Sequence, residues 1–339
     1  MAGDLFDHPA QFLQMGFRLV AAGQAAQALA LADRALAKHP GDPLIAALAR
    51  RIQQHQVPSF HHGMLRDAAR NAAYAQAIAA LAPGRLVLDV GTGSGLLAML
   101  AARAGAAHVH ACELNPMVAA TAREIIAANG LADRITVHAV HSRELNRVRD
   151  LAGGAELVVS EILSHDLLGE GVLPALAQVR AELCAPGALF VPERAAIRVA
   201  LADDPTDLVE IGAVEGFDLA LFNRHIQAGQ IARSRDPRFA LRSEPADLMT
   251  FDFAANLPLE SRATAVLAAS GGPVNGIAQW LQIDLGGGAT YENAPGAQAD
   301  AHWGVGYYLL PAPRETDPGE CVTVHGWHGE DAIAVWAEP

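Results

Sequence analysis

Asp89, Gly91, Gly93 and Gly95 fall in the run VLDVGTGSGLL, and Glu113 follows in HACELNPM. Three glycines after an apolar run form a turn where backbone amides can approach a ligand closely and a helix start can face it. An acid roughly 20 residues further on, at the end of the next strand, is placed to take both ribose hydroxyls of an adenosine. A pyrophosphate-binding turn wants G-x-G-x-x-G, whereas this one reads G-x-G-x-G with Asp89 ahead of it. An acid there repels pyrophosphate but can organise contacts to the amino acid end of S-adenosylmethionine, so the local charge favours that cofactor over a dinucleotide. Taken alone, the same turn also serves as an ordinary strand-to-helix connection. His138 to Glu144 should border the adenine, with Ser142 as the expected contact, although a short polar residue at a strand end also forms turns.

A second set of acids lies in SEILSHDLLGEGVLP, where Glu161 and Glu170 are nine residues apart with Asp166 between them. Isolated carboxylates among so many apolar residues are costly to bury, so they call for a cationic partner. Glu170 could instead favour the start of the helix that follows.

These residues need a scaffold. From Leu86 to about Ile197, LVLDV, HVHACE, RITVHAV, ELVVS and ALFVP alternate with helical patterns at Gly95–Ala104, Met117–Asn129 and Val172–Leu183. Near-continuous apolar strands separated by helices imply a parallel sheet covered on both faces. The loop after a strand's carboxyl end is where such a sheet binds its ligand, which places Glu161 to Glu170 facing the methyl donor. After Pro192 the pattern changes to strand-like pieces (AAIRVAL, LMTFDFA, ATAVLAA, IAQWLQIDL, GVGYYLLP, CVTVHGW, AIAVWAE) separated by Gly, Pro and Asp turns, as in a barrel or sandwich. Before the sheet, Gln11 to Gln54 is Ala-rich, with apolar residues at helical spacing and a break at HPGDP. Within it, GQAAQALALADRALAKHPGDPLIAALARR resembles one tetratricopeptide-type hairpin, which cannot bury its own face and should pack on the next domain. The expected organisation is a helical segment over 1–55, a Rossmann-like α/β methyltransferase domain over 56–192 and a β-barrel over 193–339.

The formal charge of -13 argues against non-specific nucleic-acid binding, which needs clustered Lys and Arg. Acidity suits a basic substrate, and it also simply keeps a protein soluble. No run approaches the roughly 20 apolar residues of a membrane span, and the start MAGDLFDHPAQF lacks the basic region of a secretory signal. Cys112, Cys184 and Cys321 form no metal-ligand spacing, so a reducing cytoplasm is expected.

In order along the chain, HGMLRDAARNAAY, VLDVGTGSGLL, CELNPM, HSRE, SEILSHDLLGEGVLP, VPERAAIRV, GFDLALFN and HWGVGYYLLP resemble the protein arginine methyltransferases. The likeness is closest to the monomethylating, type III, branch and covers most of 59–339. It implies that Glu161 and Glu170 grip the acceptor guanidinium. A guanidinium is charged at any ordinary pH and is a poor nucleophile. Two carboxylates bonded to it fork to fork would hold its charge on one side and aim the remaining nitrogen at the methyl group. Transfer is then an in-line displacement from the sulfonium, with no covalent enzyme intermediate, no metal, and S-adenosylhomocysteine as product.

The resemblance further implies that Arg70 pairs with the cofactor carboxylate, that Met64 packs near its sulfonium, and that His61 lies close by. Leu114, beside Glu113, counts among the cofactor residues. His302 and Trp303 form a loop over the acceptor pocket, with His302 bonded to Asp67 as a proton-relay pair. Three departures stand out. RRIQQHQVPSFHH lacks the paired aromatics of dimethylating members, Ser164 replaces an acid of the monomethylating branch, and Arg143 stands where several members hold an adenine-contacting glutamate, which points to a backbone contact there. GFDLALFNRHIQAG occupies the place of a dimerisation arm and suggests a homodimer. The substrate expected is an arginine-containing protein. The alternatives are another protein or small-molecule acceptor, disfavoured because an amino-methylating enzyme wants an Asn-Pro-Pro-type turn where SEIL stands, and a non-catalytic adaptor with a degenerate domain.

Overall fold

The computed structural model describes residues 5–55, 57, 60–204, 211–225, 229–232, 234–296 and 301–338. They divide into two compact units, the first comprising 1–66, 74–161 and 178–191 and the second 67–73, 162–177 and 192–339.

The first unit opens with three helices, α1 (Pro9–Ala21), α2 (Ala25–Lys38) and α3 (Pro43–Gln53). The break at HPGDP works because Asp42 caps α3, accepting from the Leu44 amide at 2.8 Å, while Pro43 takes the first helical position where its missing N–H costs nothing. A short helix, α4 (His61–Arg66), and α5 (Ala68–Leu81) lead to the sheet.

Five parallel strands, β1 (Leu86–Val90), β2 (His108–Cys112), β3 (Ile135–His138), β4 (Ala155–Ser160) and β5 (Cys184–Val191), stand in the order β3-β2-β1-β4-β5. All four pairings are parallel. The central strands are buried nearly end to end, which explains their unbroken apolar sequences. β5 pairs only with β4, and as an edge strand it accommodates Pro186. The connecting helices are α6 (Leu96–Arg103), α7 (Pro116–Ala128) and α8 (Val172–Glu182). The chain runs outward from β1 to β3 and then returns to β4, so β1 and β4 flank the switch point where open α/β sheets bind ligands.

The second unit is antiparallel, the character expected after Pro192. A seven-stranded sheet includes β6 (Arg194–Asp203), β7 (Ala246–Asp252), a long β9 (Gly272–Gly286), β10 (Ala289–Glu292) and β11 (Gly306–Thr316); a three-stranded sheet holds β8 (Ser261–Ala268), β12 (Cys321–His328) and β13 (Ile333–Ala337). In β12 every second residue is buried, the pattern of a strand with one face on a core.

Gly95 shows how the glycine turn is built. It starts α6 with φ +83°, and a Cβ there would stand 3.1 Å from Ile126 Cδ1. Gly95→Ala is expected to lower stability by about 1–2 kcal/mol, the cost of a left-handed L-residue, read as a lower urea midpoint with an unchanged slope.

Candidate active site

In the first unit the glycine turn is tied to the strand beside it. The Gly91 and Thr92 amides both donate to the Cys112 carbonyl at 3.0 Å, and the Gly95 amide closes the turn on Thr92 O at 2.9 Å. Asp89 is 1% exposed, and its Oδ2 accepts from the Thr92 hydroxyl at 2.5 Å. That bond fixes the acid under the turn. The sequence alone does not distinguish Thr92 from Ser94, the other hydroxyl among these glycines.

Glu113 is half-buried and bridges the two parts of the site. Its Oε2 accepts from the Gly93 amide at 3.0 Å and its Oε1 from the Asn115 amide at 2.8 Å. A carboxylate has about four acceptor positions, so both oxygens keep capacity for ribose hydroxyls. Asn115 in turn caps α7, accepting from the Met117 amide at 2.9 Å. The Asn115–Pro116 pair is a legible helix-start signal. Leu114, between Glu113 and Asn115, is 65% exposed.

The His61 ring lies beside the turn, where a Cβ on Gly93 would stand 3.6 Å from its Nδ1. Burial lowers the His61 pKa, with Glu113 pulling the other way, so the ring favours its neutral form. Met64, on the same short helix, is half-buried. At the adenine end, Ser142 is buried and its hydroxyl donates to Gln178 Oε1 at 3.0 Å, while the Arg143 amide donates to His141 Nδ1 at 3.1 Å. Ser142 is thus engaged by α8 and the Arg143 amide by its own turn, whose capping box is completed by Glu144. The Arg143 side chain is exposed.

Glu161 follows β4 directly. Ser160 is in parallel register with Val90, the last residue of β1, so Glu161 emerges one strand spacing from the start of the glycine turn. The Tyr74 hydroxyl fixes that strand end by donating to the Ser160 carbonyl at 3.1 Å.

The second unit holds the other acid and its loop. Asp166 is engaged through Oδ1 by its own loop. It accepts from the Ser164 hydroxyl, the Leu168 amide at 3.2 Å and the Gly169 amide at 3.0 Å, and so builds the turn itself. Leu163, Leu167 and Leu168 are buried and peg this turn down, with Leu167 held at φ +76°. Glu170 lies outside the following helix, which begins from the Gly171 carbonyl, and its side chain is exposed. Although water reaches it, the protein around it desolvates its carboxyl enough to raise its pKa.

Asp67 is 1% exposed and collects three donors: the Arg70 amide at 2.9 Å on Oδ1, and on Oδ2 the Tyr291 hydroxyl at 2.7 Å and the His302 amide at 2.9 Å. Asp67 thus holds His302 by its backbone amide. Trp303 is buried; its indole N–H donates to the Leu163 carbonyl at 2.8 Å and its ring meets Tyr291 edge-on at 5.6 Å. Trp303 thus ties the loop before β11 to the loop carrying Glu170. Arg70 is buried, with Nη1 donating to Asn71 Oδ1 at 2.7 Å. A cavity of about 410 Å³ borders His302 and Trp303, with Asn293, Arg235 and Asp236 in its wall.

The residues fit S-adenosylmethionine. A buried acid under a glycine turn, an amide-braced acid for the ribose and a neutral imidazole beside the turn are all in place, with no second glycine spacing for a pyrophosphate.

Comparison with known proteins gives the same reading. The family model described as ribosomal protein L11 methyltransferase (PrmA) matches residues 75–191. An arginine N(omega)-methyltransferase of Streptomyces achromogenes subsp. streptozoticus is 38% identical over 285 residues, covering 82% of this chain and 78% of that protein. Protein arginine N-methyltransferase 7 of Oryza sativa subsp. indica is 34% identical over 259 residues, 68% of this chain; the chain spans only 36% of that longer relative. Among solved structures, the Trypanosoma brucei PRMT1 enzyme-prozyme heterotetrameric complex with AdoHcy matches with a TM-score of 0.71 at 24% identity, over 83% of this chain and 96% of that one.

Proposed function

The chain belongs to the arginine N-methyltransferase family, and from that premise we propose that it monomethylates arginine side chains of a protein substrate, with Glu161 and Glu170 as the guanidinium clamp. The observation that carries the reading is the register of β1 and β4, which sets Glu161 beside a glycine turn whose ribose acid is already oriented. When bound, S-adenosylmethionine supplies an electrophilic methyl group on a sulfonium.

Glu113 holds the ribose end of the cofactor and Arg70 its carboxylate. Glu161 and Glu170 accept from the guanidinium and keep its charge away from the reacting nitrogen. A ring nitrogen of His302, whose backbone Asp67 anchors, removes the proton that the methylated nitrogen releases. Transfer of a single methyl is supported by RRIQQHQVPSFHH, which carries no tyrosine. A cytoplasmic setting is supported by three free cysteines. Self-association is supported by the arm over 216–229, where Phe217, Leu221 and Phe222 are each more than 60% exposed; residues 226–228 of that arm lie outside the described residues.

A second reading takes arginine itself as the acceptor. It is favoured by the Streptomyces relative, which covers most of both chains and is named for arginine rather than for protein arginine. Incubation with methyl-labelled cofactor and either Arg-rich peptides or free L-arginine, followed by amino acid analysis, separates the two. Label in peptide as monomethylarginine supports the first reading, label confined to the free amino acid supports the second, and no label in either defeats both.

The pH profile carries a signature of Glu170. The clamp works with both carboxylates ionised, so activity falls as acid protonates either one. Because the Glu170 pKa is raised by desolvation, the acid limb of kcat/KM is expected to lie above the ordinary glutamate range. An acid limb at the ordinary value would contradict this.

A further inference from the structure

We infer that the N-terminal helices are a positioning part of the cofactor site, holding the ribose acid Glu113 in place through Met117 of α7; the inference rests on the cofactor reading above. Met117, Val118, Ala119 and Ala120 are all buried. Four successive helical residues point all round the axis, so the first turn of α7 is enclosed on every side. Met117 and Ala120 share one core with Phe12, Ala28, Ala35 and Ile52 of α1, α2 and α3. The three helices are themselves tightly fitted, since a Cβ on Gly16 would come within 2.3 Å of Ile52 Cδ1.

From that core an unbroken set of short bonds leads to the ligand. The Met117 amide donates to Asn115 Oδ1, the Asn115 amide donates to Glu113 Oε1, and Glu113 Oε2 accepts from the Gly93 amide. The far side of α7 touches the same turn, because Ile126 packs where Gly95 would carry a Cβ. Shifting Met117 therefore moves the cap, the acid and the turn together, and a misplacement of about 1 Å in such a site can cost up to 10²-fold.

The test is titration of the full-length chain with S-adenosylhomocysteine, well below its unfolding temperature, with circular dichroism confirming the fold. Met117→Ala, and Phe12→Ala on the helical side of the core, are expected to raise Kd about fivefold to tenfold. Leu267→Ala, which removes as many heavy atoms as Met117→Ala from a buried position in the antiparallel unit, should leave Kd unchanged. Ile52→Val, lacking one methyl group, replaces Phe12→Ala should the latter unfold, with an expected rise of about twofold. Folded variants that bind as tightly as the unaltered chain overturn the inference and leave the cofactor reading standing. No binding to the unaltered chain overturns both.

Discussion

Glu161→Gln and Glu170→Gln are each expected to lower kcat by about 10²- to 10³-fold, the usual cost of removing one group aimed at transition-state charge, while S-adenosylhomocysteine affinity stays as it was. Glutamine preserves the size and one acceptor of the side chain but carries no charge. A guanidinium held by one carboxylate and one amide keeps its charge spread over all three nitrogens, and the nitrogen facing the methyl group stays a poor nucleophile. The two substitutions should differ in one respect. The raised pKa of Glu170 means that its folded environment favours the protonated form; the resulting cost to stability is present above the unfolded pKa and disappears as pH falls below it. At neutral pH, Glu170→Gln should therefore show the loss of kcat without a lower thermal midpoint. Labelled-methyl transfer measured beside calorimetric binding checks both statements, and unchanged labelling in the two variants would remove the clamp from the mechanism.

Much of this site is legible in the sequence because its parts obey local rules. The glycine turn between an apolar strand and a helix, the acid closing the next strand and the Asn115–Pro116 helix start each read from their neighbours alone. The α6 and α7 boundaries, and the change of pattern at Pro192, follow the same logic. What the sequence conceals are the partners reached through folding. Tyr291 meets Asp67 across 224 positions, and Trp303 reaches the Leu163 carbonyl across 140. Nothing in SEILSHD or GGGATYENA marks either contact. Asp166 illustrates the opposite difficulty: an acid near two others resembles part of a charge cluster until its donors appear, a hydroxyl and two amides of its own turn. Ser142 is alike, since a short hydroxyl at a strand end can serve a ligand or a neighbouring glutamine, and Gln178 is 36 residues away.

Asp67→Ala is expected to be the most destabilising single change near the site, by about 4 kcal/mol, from two buried donors and one part-buried donor left unsatisfied at about 1–3 kcal/mol each and the partial relief that relaxation allows. The Arg70 amide belongs to the first turn of α5, for which Asp67 is the cap, and a lost cap alone costs about 1 kcal/mol. The Tyr291 hydroxyl and the His302 amide share the other oxygen, so the alanine releases β10, the loop before β11 and the helix start together. Tyr291→Phe gives the contrast. It deletes a donor and orphans no group, because Asp67 Oδ2 keeps the His302 amide; about 1 kcal/mol is expected. Asp67→Asn should fall between the two, since its single oxygen can serve only one side and its NH2 then faces a donor on the other. Urea midpoints of the three variants at constant slope give this order directly. In the double variant Asp67→Ala, Tyr291→Phe, the loss should be smaller than the sum of the single losses, because the phenylalanine no longer presents a hydroxyl to the vacated site. Additive losses would mean that the hydroxyl bond contributes nothing to holding the His302 loop.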